Sequence, residues 1–330
     1  MPFWLVVGLV YLFEFANGWT DAPNSIATVV STRVLRPFQA VAMAGVLNLV
    51  GALSGTAVAK TIAGGIVDCD LVTLETIAAA LLAATVWALG AQRLGLPSSE
   101  SHALVAGLLG AGFAAGGLRG LEWEGTKKSL IGLVTSPVGG FLMGLLIMFL
   151  IYRLFASVRR AVVRRIFGRA QILSAAFMAF SHGTNDAQKT MGIITLALLL
   201  NSSGGAGCSE DFTIPIWVIV SAAAVMGLGT MVGGWRVVRT LGVRMTKLEP
   251  VQGFAAETGA ALVITGAAQL GIPVSTTHAI GTSIMGVGAT KRLSAVRWGV
   301  AGQVVTAWIL TWPACMLLGF VLEKTFAAIF

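Results

Sequence analysis

Charged residues are scarce in this sequence, and their scarcity excludes an ordinary water-soluble enzyme. Of 330 residues, 22 are Lys or Arg and 14 are Asp or Glu, which is 11%, whereas a soluble domain has about 25%. Cysteine is also rare, with three residues, so a secreted disulfide framework is excluded. Apolar residues make up 56% of the chain, too many for a disordered protein. Because a bilayer span needs about 20 apolar residues, we expect an all-α polytopic membrane protein.

Ten apolar stretches divide the chain, and we expect each to make one net crossing of a membrane. The first stretch carries Glu14, Asn17 and Asp21 and lacks a basic flank, so no cleavable signal peptide is expected. Short polar loops separate the stretches. The stretches cover approximately residues 3–32, 38–59, 72–90, 97–117, 129–152, 170–200, 213–235, 251–269, 273–290 and 298–322.

The basic residues predict which side faces the cytoplasm. If the loops alternate, 16 of the 22 Lys and Arg fall on one side, five fall on the other, and Lys189 falls inside a stretch. The positive-inside rule makes the basic side cytoplasmic, so we expect a cell-membrane protein with both termini outside. The net charge of +8 then needs no nucleic-acid partner. Six arginines between Tyr152 and Ala170 fit a cytoplasmic anchor, with an anionic-lipid or nucleic-acid patch as the alternative.

Three segments of the first half return in the same order in the second half, which indicates a tandem duplication. We predict a first repeat at 1–152, an Arg-rich cytoplasmic linker at 153–169 and a second repeat at 170–330. Five crossings is an odd number, so the second copy is expected to be inverted, as in many secondary transporters. The matched segments are 15–22 with 180–187, Glu75-Thr76 with Glu257-Thr258, and 94–103 with 270–279.

Six of the fourteen acidic residues lie in or at the edge of the apolar stretches. A charge at bilayer depth costs about 3 kcal/mol on insertion scales, so such residues are functional candidates. Two repeat pairs among them predict cation coupling, with structural ion pairs or helix caps as the alternative. Glu14 has no acidic counterpart, because Ala179 stands at the matching position. The six residues are Glu14, Asp21, Glu75, Glu100, Asp186 and Glu257.

A Leu-Gly-x-Pro turn followed by Ser and Thr occurs in both halves, at Pro97 and Pro273. Proline ends a preceding helix, and the hydroxyl residues are good N-caps for a following one. A helix that begins inside the membrane presents unpaired N–H groups to an anion. We therefore predict broken or re-entrant helices at 97–117 and 273–290, with simple proline kinks as the alternative. The candidate caps are Ser98, Ser99, Ser101, Ser275, Thr276 and Thr277.

The remaining polar residues of these motifs are assigned supporting roles. His102, His182 and His278 all fall inside the motifs, but no His/Cys spacing resembles a zinc site, so no bound metal is expected. Together with Asn17 they are predicted to hydrogen-bond around the site. Cysteines 69 and 208 fall in predicted external loops and cysteine 315 in the last span, which leaves a disulfide open.

An anion site beside paired aspartates favours phosphate as the ligand. Phosphate keeps an O–H near neutral pH, which a carboxylate accepts, whereas sulfate keeps none and meets only repulsion. Asp21 or Asp186 would accept that O–H or hold a coupling cation. The side-chain amides of Asn17, Asn24 and Asn185 would donate to the remaining oxygens.

The same motifs resemble the inorganic phosphate transporter (PiT) family, which carries phosphate with Na⁺ or H⁺. Residues 180–189 look like its signature repeat, 17–24 look like the first copy of that repeat, and the two Pro-x-Ser turns are similar to its re-entrant hairpins. The resemblance covers nearly the whole chain. It implies a phosphate and cation site built from Asp21, Asn24, Ser99, Ser101, Asn185, Asp186, Ser275, Thr276 and Thr277.

Three departures from the family pattern bear on the coupling ion, because each changes a potential cation ligand. Thr20 stands where the family has Asn, Glu100 where its hairpin has Ser or Thr, and Lys189 where it has Asn. A lysine ammonium could replace a bound Na⁺ and Glu100 could carry a proton, with snorkelling to an interface as the alternative for Lys189. The pattern looks like the bacterial low-affinity branch, associated with protons and metal–phosphate complexes. The set expected to couple cations is Asp21, Glu75, Glu100, Asp186, Lys189 and Glu257.

Several functions remain open beside H⁺-coupled phosphate symport. Na⁺ coupling and sulfate transport are the alternatives within the transporter class. A membrane-embedded phosphotransferase is disfavoured, because catalytic sites need different groups in different roles rather than a symmetric duplication. A passive anion channel would not need paired buried carboxylates. No cofactor other than the coupling cation is expected, and homodimerisation is left open.

Overall fold

A computed structural model describes residues 1–203 and 212–329 of the chain. These residues form twelve α-helices and no strands, with one isolated bridge between Val67 and Leu121. All ten apolar stretches become helical, which confirms the expected all-α class. The helices are α1 (Phe3–Ser31), α2 (Pro37–Ala52), α3 (Ala57–Gly65), α4 (Leu74–Leu94), α5 (Glu100–Gly116), α6 (Trp123–Leu154), α7 (Arg160–Ser203), α8 (Ile216–Val232), α9 (Trp235–Arg239), α10 (Pro250–Gln269), α11 (Thr276–Lys291) and α12 (Trp298–Ile329).

Five of the described helices are long and apolar enough to span a membrane by themselves. The total becomes seven if the bent pairs α2–α3 and α8–α9 each count as one span. Helices α7 and α10 are long enough to span a membrane but contain too many polar residues to be counted, and α11 is too short, with 16 residues. The chain is a multi-pass membrane protein, and α7, α10 and α11, which are outside that count, all carry sequence motifs.

The predicted linker at 153–169 becomes largely helical. Helix α6 extends to Leu154, and α7 begins at Arg160 and continues without a break into the predicted second repeat. All six linker arginines are exposed, whereas Phe167 is buried between Phe155 and Phe254. The first turns of α7 are therefore amphipathic, which keeps the basic segment ordered on the protein surface.

Two helical hairpins, α4–α5 and α10–α11, share the same turn chemistry. Gly95 and Gly271 have φ of 68° and 66°, a left-handed conformation that favours glycine and ends the first helix. The second helix begins shortly afterwards, where the Ser99 and Ser275 hydroxyls accept from the backbone N–H groups of His102 and His278. The predicted caps are confirmed at these two serines, and the expected breaks at both prolines are also present.

The starts of α5 and α11 meet inside the bundle. The Ser101 hydroxyl donates to the Val274 backbone carbonyl at 3.2 Å, and the His102 and His278 rings form an edge-to-face pair with centroids 4.6 Å apart. Helices α1 and α7 also pack together and pass this meeting point. The two signature segments, at 15–22 in α1 and 180–187 in α7, are thereby brought beside both hairpin turns.

Candidate functional site

The centre of the site is a buried pair of aspartates, Asp21 on α1 and Asp186 on α7. Their side chains belong to residues that are 3% and 0% exposed. His182 Nε2 lies 3.0 Å from Asp186 Oδ2. One ligand atom from each of Asp21, His182 and Asp186 lies within 4.8 Å of the others, close enough to surround a cation. We call Asp21, Asp186 and the starts of α5 and α11 the central site.

The start of α11 connects the two aspartates. Thr277 donates to Asp21 Oδ1 and Thr276 donates to Asp186 Oδ2, both at 2.9 Å. Asn24 Nδ2 donates in turn to the two threonine hydroxyls, at 3.2 and 2.9 Å. Residues of both halves of the chain therefore form one hydrogen-bond network, which brings the predicted phosphate ligands Asn24, Thr276 and Thr277 beside the aspartates.

The start of α5 contributes a third buried acid, Glu100, which is 2% exposed. Its Oε1 accepts from the Thr20 hydroxyl at 2.9 Å and from the Ser98 hydroxyl at 3.4 Å. Asp21 lies near enough for its carboxyl group and that of Glu100 to act on each other electrostatically. Two buried carboxylates that act on each other repel, so a proton on one of them would relieve the repulsion.

Lys189 points into the central site and is 2% exposed, so the snorkelling alternative is wrong. Its ammonium donates to Asp186 Oδ1, to the Ser101 hydroxyl and to the Val274 carbonyl. Three converging oxygens resemble the surroundings of a hard cation such as Na⁺. The ammonium thus holds a positive charge among three oxygens, at a position fixed by α7.

The other residues predicted to bind phosphate or to support the site lie around the central site and make different contacts. Asn185 Nδ2 donates to Asp186 Oδ1 at 2.8 Å and to the Val274 carbonyl at 2.9 Å, so it holds α7 against the α10–α11 turn. The Ser99 and Ser275 hydroxyl oxygens accept from their own helices. Asn17 donates to Glu14 at 3.3 Å rather than to an aspartate.

The three histidines separate into one that contacts an aspartate and two that do not. His182 bonds Asn48 Oδ1 through Nδ1 at 3.0 Å, and its other ring nitrogen faces Asp186. His102 and His278 contact each other edge to face, and Trp312 and Trp308 flank them with centroid distances of 5.7 and 3.9 Å. The hairpin histidines therefore pack the interface between the two turns.

The glutamates matched by the repeat, Glu75 and Glu257, do not occupy equivalent positions. Glu75 lies in the first turn of α4, half-buried, and bonds the amino group of Met1. Glu257 lies about two turns into α10, fully buried. The structure does not bring Glu75 to the central site, because the two hairpins align through their turn glycines and not through these acids. Glu257 accepts from Thr28, Gln171 and Ser174.

Sequence reasoning missed the partners that enclose the buried acids outside the motifs. Thr190 donates to Glu14, and Thr28, Gln171 and Ser174 donate to Glu257. Only Thr190 carried a local signal, since it lies four residues after Asp186 on the same helix face. Cysteine 208 lies outside the described residues, so its pairing with Cys69 stays open, while Cys315 is free and buried.

A multi-pass helical protein that buries paired acids beside two broken helices is a membrane transport protein. The sequence profile of the phosphate transporter family matches residues 17–319, and the chain belongs to this family. The predicted family is thereby confirmed, as is the expectation of a transporter rather than an enzyme, since the relatives are named transporters and permeases.

Similar proteins cover nearly the full length of the chain. It is 48% identical over 322 residues, 96% of this chain and 95% of the relative, to a "Probable low-affinity inorganic phosphate transporter" of Rhizobium meliloti (strain 1021). A Bacillus subtilis (strain 168) protein of the same name is 42% identical over 98% of this chain and 97% of its own length. A solved structure titled "The sodium-dependent phosphate transporter" is 26% identical, with a TM-score of 0.90 over all of both chains.

Proposed function

We propose that the chain imports inorganic phosphate across the cell membrane by symport with a cation, and that this cation is H⁺. The observation that carries the proposal is the convergence of both hairpin turns on Asp21 and Asp186. Thr276 and Thr277, at the start of α11, donate to the two aspartates, and Ser101, at the start of α5, bonds Val274 of the other hairpin. The N-termini of α5 and α11 favour binding of an anion, and the aspartates would accept a hydrogen bond from the O–H group that phosphate keeps.

The choice of H⁺ over Na⁺ rests on Lys189 and Glu100. The Lys189 ammonium already bonds three oxygens of a type that Na⁺ prefers, so a metal ion there would meet a fixed positive charge. The buried carboxyl groups of Asp21 and Glu100 repel each other when both are ionised, and a transported proton could bind to one of them. The solved relative titled as sodium-dependent makes Na⁺ the second candidate.

An inverted-repeat architecture supports transport by alternating access. The backbone carbonyl of Gly95, at the first hairpin turn, accepts from the Thr240 hydroxyl, close to the basic residue Arg236. The backbone carbonyl of Gly271, at the second turn, accepts from the Thr61 hydroxyl, next to Lys60. The positive-inside tally puts these two regions on opposite sides of the membrane. This supports the division into repeats at 1–152 and 170–330.

The expectation that both termini lie on the same side of the membrane has structural support. The Met1 amino group bonds Glu75 at the start of α4, and Thr76 of the same turn donates to Glu323 near the end of α12 at 3.0 Å. The two ends of the chain therefore lie at one end of the bundle. We name this the N-terminal end and propose that it is extracellular. Homodimerisation stays a prediction.

Uptake of radiolabelled phosphate into proteoliposomes tests the proposal. We expect uptake driven by an inward pH gradient without Na⁺, and no stimulation by a Na⁺ gradient alone. Sulfate should compete poorly, because it has no O–H for the aspartates. Uptake that needs Na⁺ would replace H⁺ with the second candidate, and equal inhibition by sulfate and phosphate would overturn the assignment of phosphate.

A metal–phosphate complex is a second candidate for the cargo, favoured by one observation. The ligand atoms of Asp21, His182 and Asp186 lie within 4.8 Å of one another, which suits a divalent ion. If the complex is the cargo, Mg²⁺ added outside should raise phosphate uptake and should itself enter the vesicles. If phosphate alone is the cargo, Mg²⁺ should leave uptake unchanged.

A further inference from the structure

Glu14 is a buried acid that the proposed phosphate site does not use. It lies on α1 about two turns before Asp21, on the side of the N-terminal end, and is 0% exposed. One carboxylate oxygen, Oε2, accepts from the Thr190 hydroxyl and from Asn17 Nδ2 at 3.3 Å. The other oxygen, Oε1, has no hydrogen-bond partner among the residues that the structure describes.

A buried carboxylate with an unpartnered oxygen is costly, and such a group in a native protein calls for an explanation. A proton on Oε1 removes the cost, because it neutralises the carboxylate. Glu14 has no acidic counterpart in the second half, where Ala179 stands. The acid is therefore present in only one of the two halves. Such an asymmetry is what we expect of a group that binds protons from only one side of the membrane.

The charges that face Glu14 come from α7. Asp186 and Lys189 both act on its carboxyl group electrostatically. On α1 itself the nearest titratable residues along the chain are Tyr11, which bonds Ser221, and Asp21. Of the other helices packed on α1, α2 and α8 contain no titratable residue, and α4 has only Glu75 and Arg93, at its two ends. Helices α9, α10 and α11 contact α1 further along, at Pro23, Thr28 and Asn24. Their titratable residues are Arg236, Arg239, Glu257, His278 and Lys291.

Glu14 is connected to the central site by residues on one face of α7. Asp186, Lys189 and Thr190 are spaced three and four residues apart, so they share that face. Thr190 bonds Glu14, while Lys189 bonds Asp186. The ionisable groups therefore form a row that leads from Glu14, nearer the N-terminal end, to Asp186 in the central site.

We propose that Glu14 is the proton-binding site on the extracellular side of the phosphate site, an inference that rests on the proposed H⁺ symport. Its carboxylate Oε1 takes a proton from external water and becomes a neutral acid. After phosphate binds, the O–H bond of Glu14 breaks and the proton passes inward to an oxygen of the bound phosphate, whose negative charge falls by one. Glu14 is then ionised again and ready for the next cycle.

The test compares Glu14→Gln with the wild type in proteoliposomes. Glutamine keeps the shape and removes the titration, so uptake driven by a pH gradient should fall by about a hundredfold, the low end of what a positioned proton-transfer group contributes. Phosphate/phosphate exchange at equal pH needs no net proton movement and should persist. The matched control, Glu124→Gln, changes an exposed acid at the start of α6 and should transport normally.

A second variant tests the site without removing the acid. Thr190→Val deletes a donor to the Glu14 carboxylate, which disfavours its charged form, so the external pH of half-maximal uptake should rise. An unchanged pH profile in Thr190→Val, or full gradient-driven uptake by Glu14→Gln, would overturn the inference. Failure of the proposed function is distinct, because the wild type itself would then show no uptake driven by a pH gradient.

Discussion

Replacing Lys189 with methionine should leave Asp186 as a buried, uncompensated charge and suppress proton-driven uptake. The ammonium and the carboxylate are 3% and 0% exposed, so water cannot take over from the lost partner. Breaking a buried ion pair by removing one member costs about 3–5 kcal/mol. We expect that cost in the free energy of unfolding, measured as a lower unfolding temperature in detergent, and a strong loss of phosphate uptake because the central site loses its fixed positive charge.

The variant should also acquire a response to Na⁺. Removal of the ammonium vacates a position next to Asp186 Oδ1, Ser101 Oγ and the Val274 carbonyl, and these oxygens suit a hard cation. Initial rates of phosphate uptake are measured with and without an inward Na⁺ gradient at fixed pH. Na⁺ should raise uptake by the Lys189→Met protein and leave the wild type unchanged.

The matched control is Lys128→Met. Lys128 also pairs with a carboxylate, that of Glu124 at 2.9 Å, but the pair is on the surface at the start of α6. Surface pairs contribute little, so this variant should transport like the wild type. Unchanged uptake by Lys189→Met, or an equal loss in both variants, would refute the claim that the ammonium serves as a fixed cation in the central site.

Two further predictions concern the aspartate pair and the hairpin turn. Asp21→Asn keeps the shape of the side chain and removes its charge, so phosphate uptake should be lost while size-exclusion chromatography still shows a folded protein; undiminished uptake would remove Asp21 from the site. Gly95→Ala places a side chain at φ 68°, which should lower the free energy of unfolding by about 1 kcal/mol, measured by thermal unfolding in detergent. The control Gly90→Ala, within α4, should not lower stability, because a side chain there meets open space.

The sequence predicted the features that are encoded locally. Apolar stretches located the helices, and the Leu-Gly-x-Pro turns located both hairpins, because glycine and proline set backbone geometry wherever they stand. The internal repeat was enough to pair Asp21 with Asp186, since duplicated motifs in two packed halves meet at their interface. Ser99 and Ser275 were recognised as caps for the same local reason.

The features that depend on packing between distant helices were not predictable. The sequence match of Glu75 with Glu257 does not correspond to equivalent positions in the structure. Two matching dipeptides do not show how far from the start of its helix each glutamate lies. The partners of Glu257 come from α1 and α7, far away in sequence, and only their packing brings them together. The helical start of α7 at Arg160 was also missed, because its charges are typical of a loop although its apolar face is buried.

The direct measurement for H⁺-coupled phosphate symport is proton movement during phosphate entry. Purified protein is reconstituted into vesicles that contain a pH-sensitive dye, in a medium free of Na⁺, and phosphate is added outside. We predict that the lumen acidifies in step with phosphate entry and that Asp21→Asn abolishes both signals. Phosphate entry without acidification, appearing only when Na⁺ is supplied, would contradict the account.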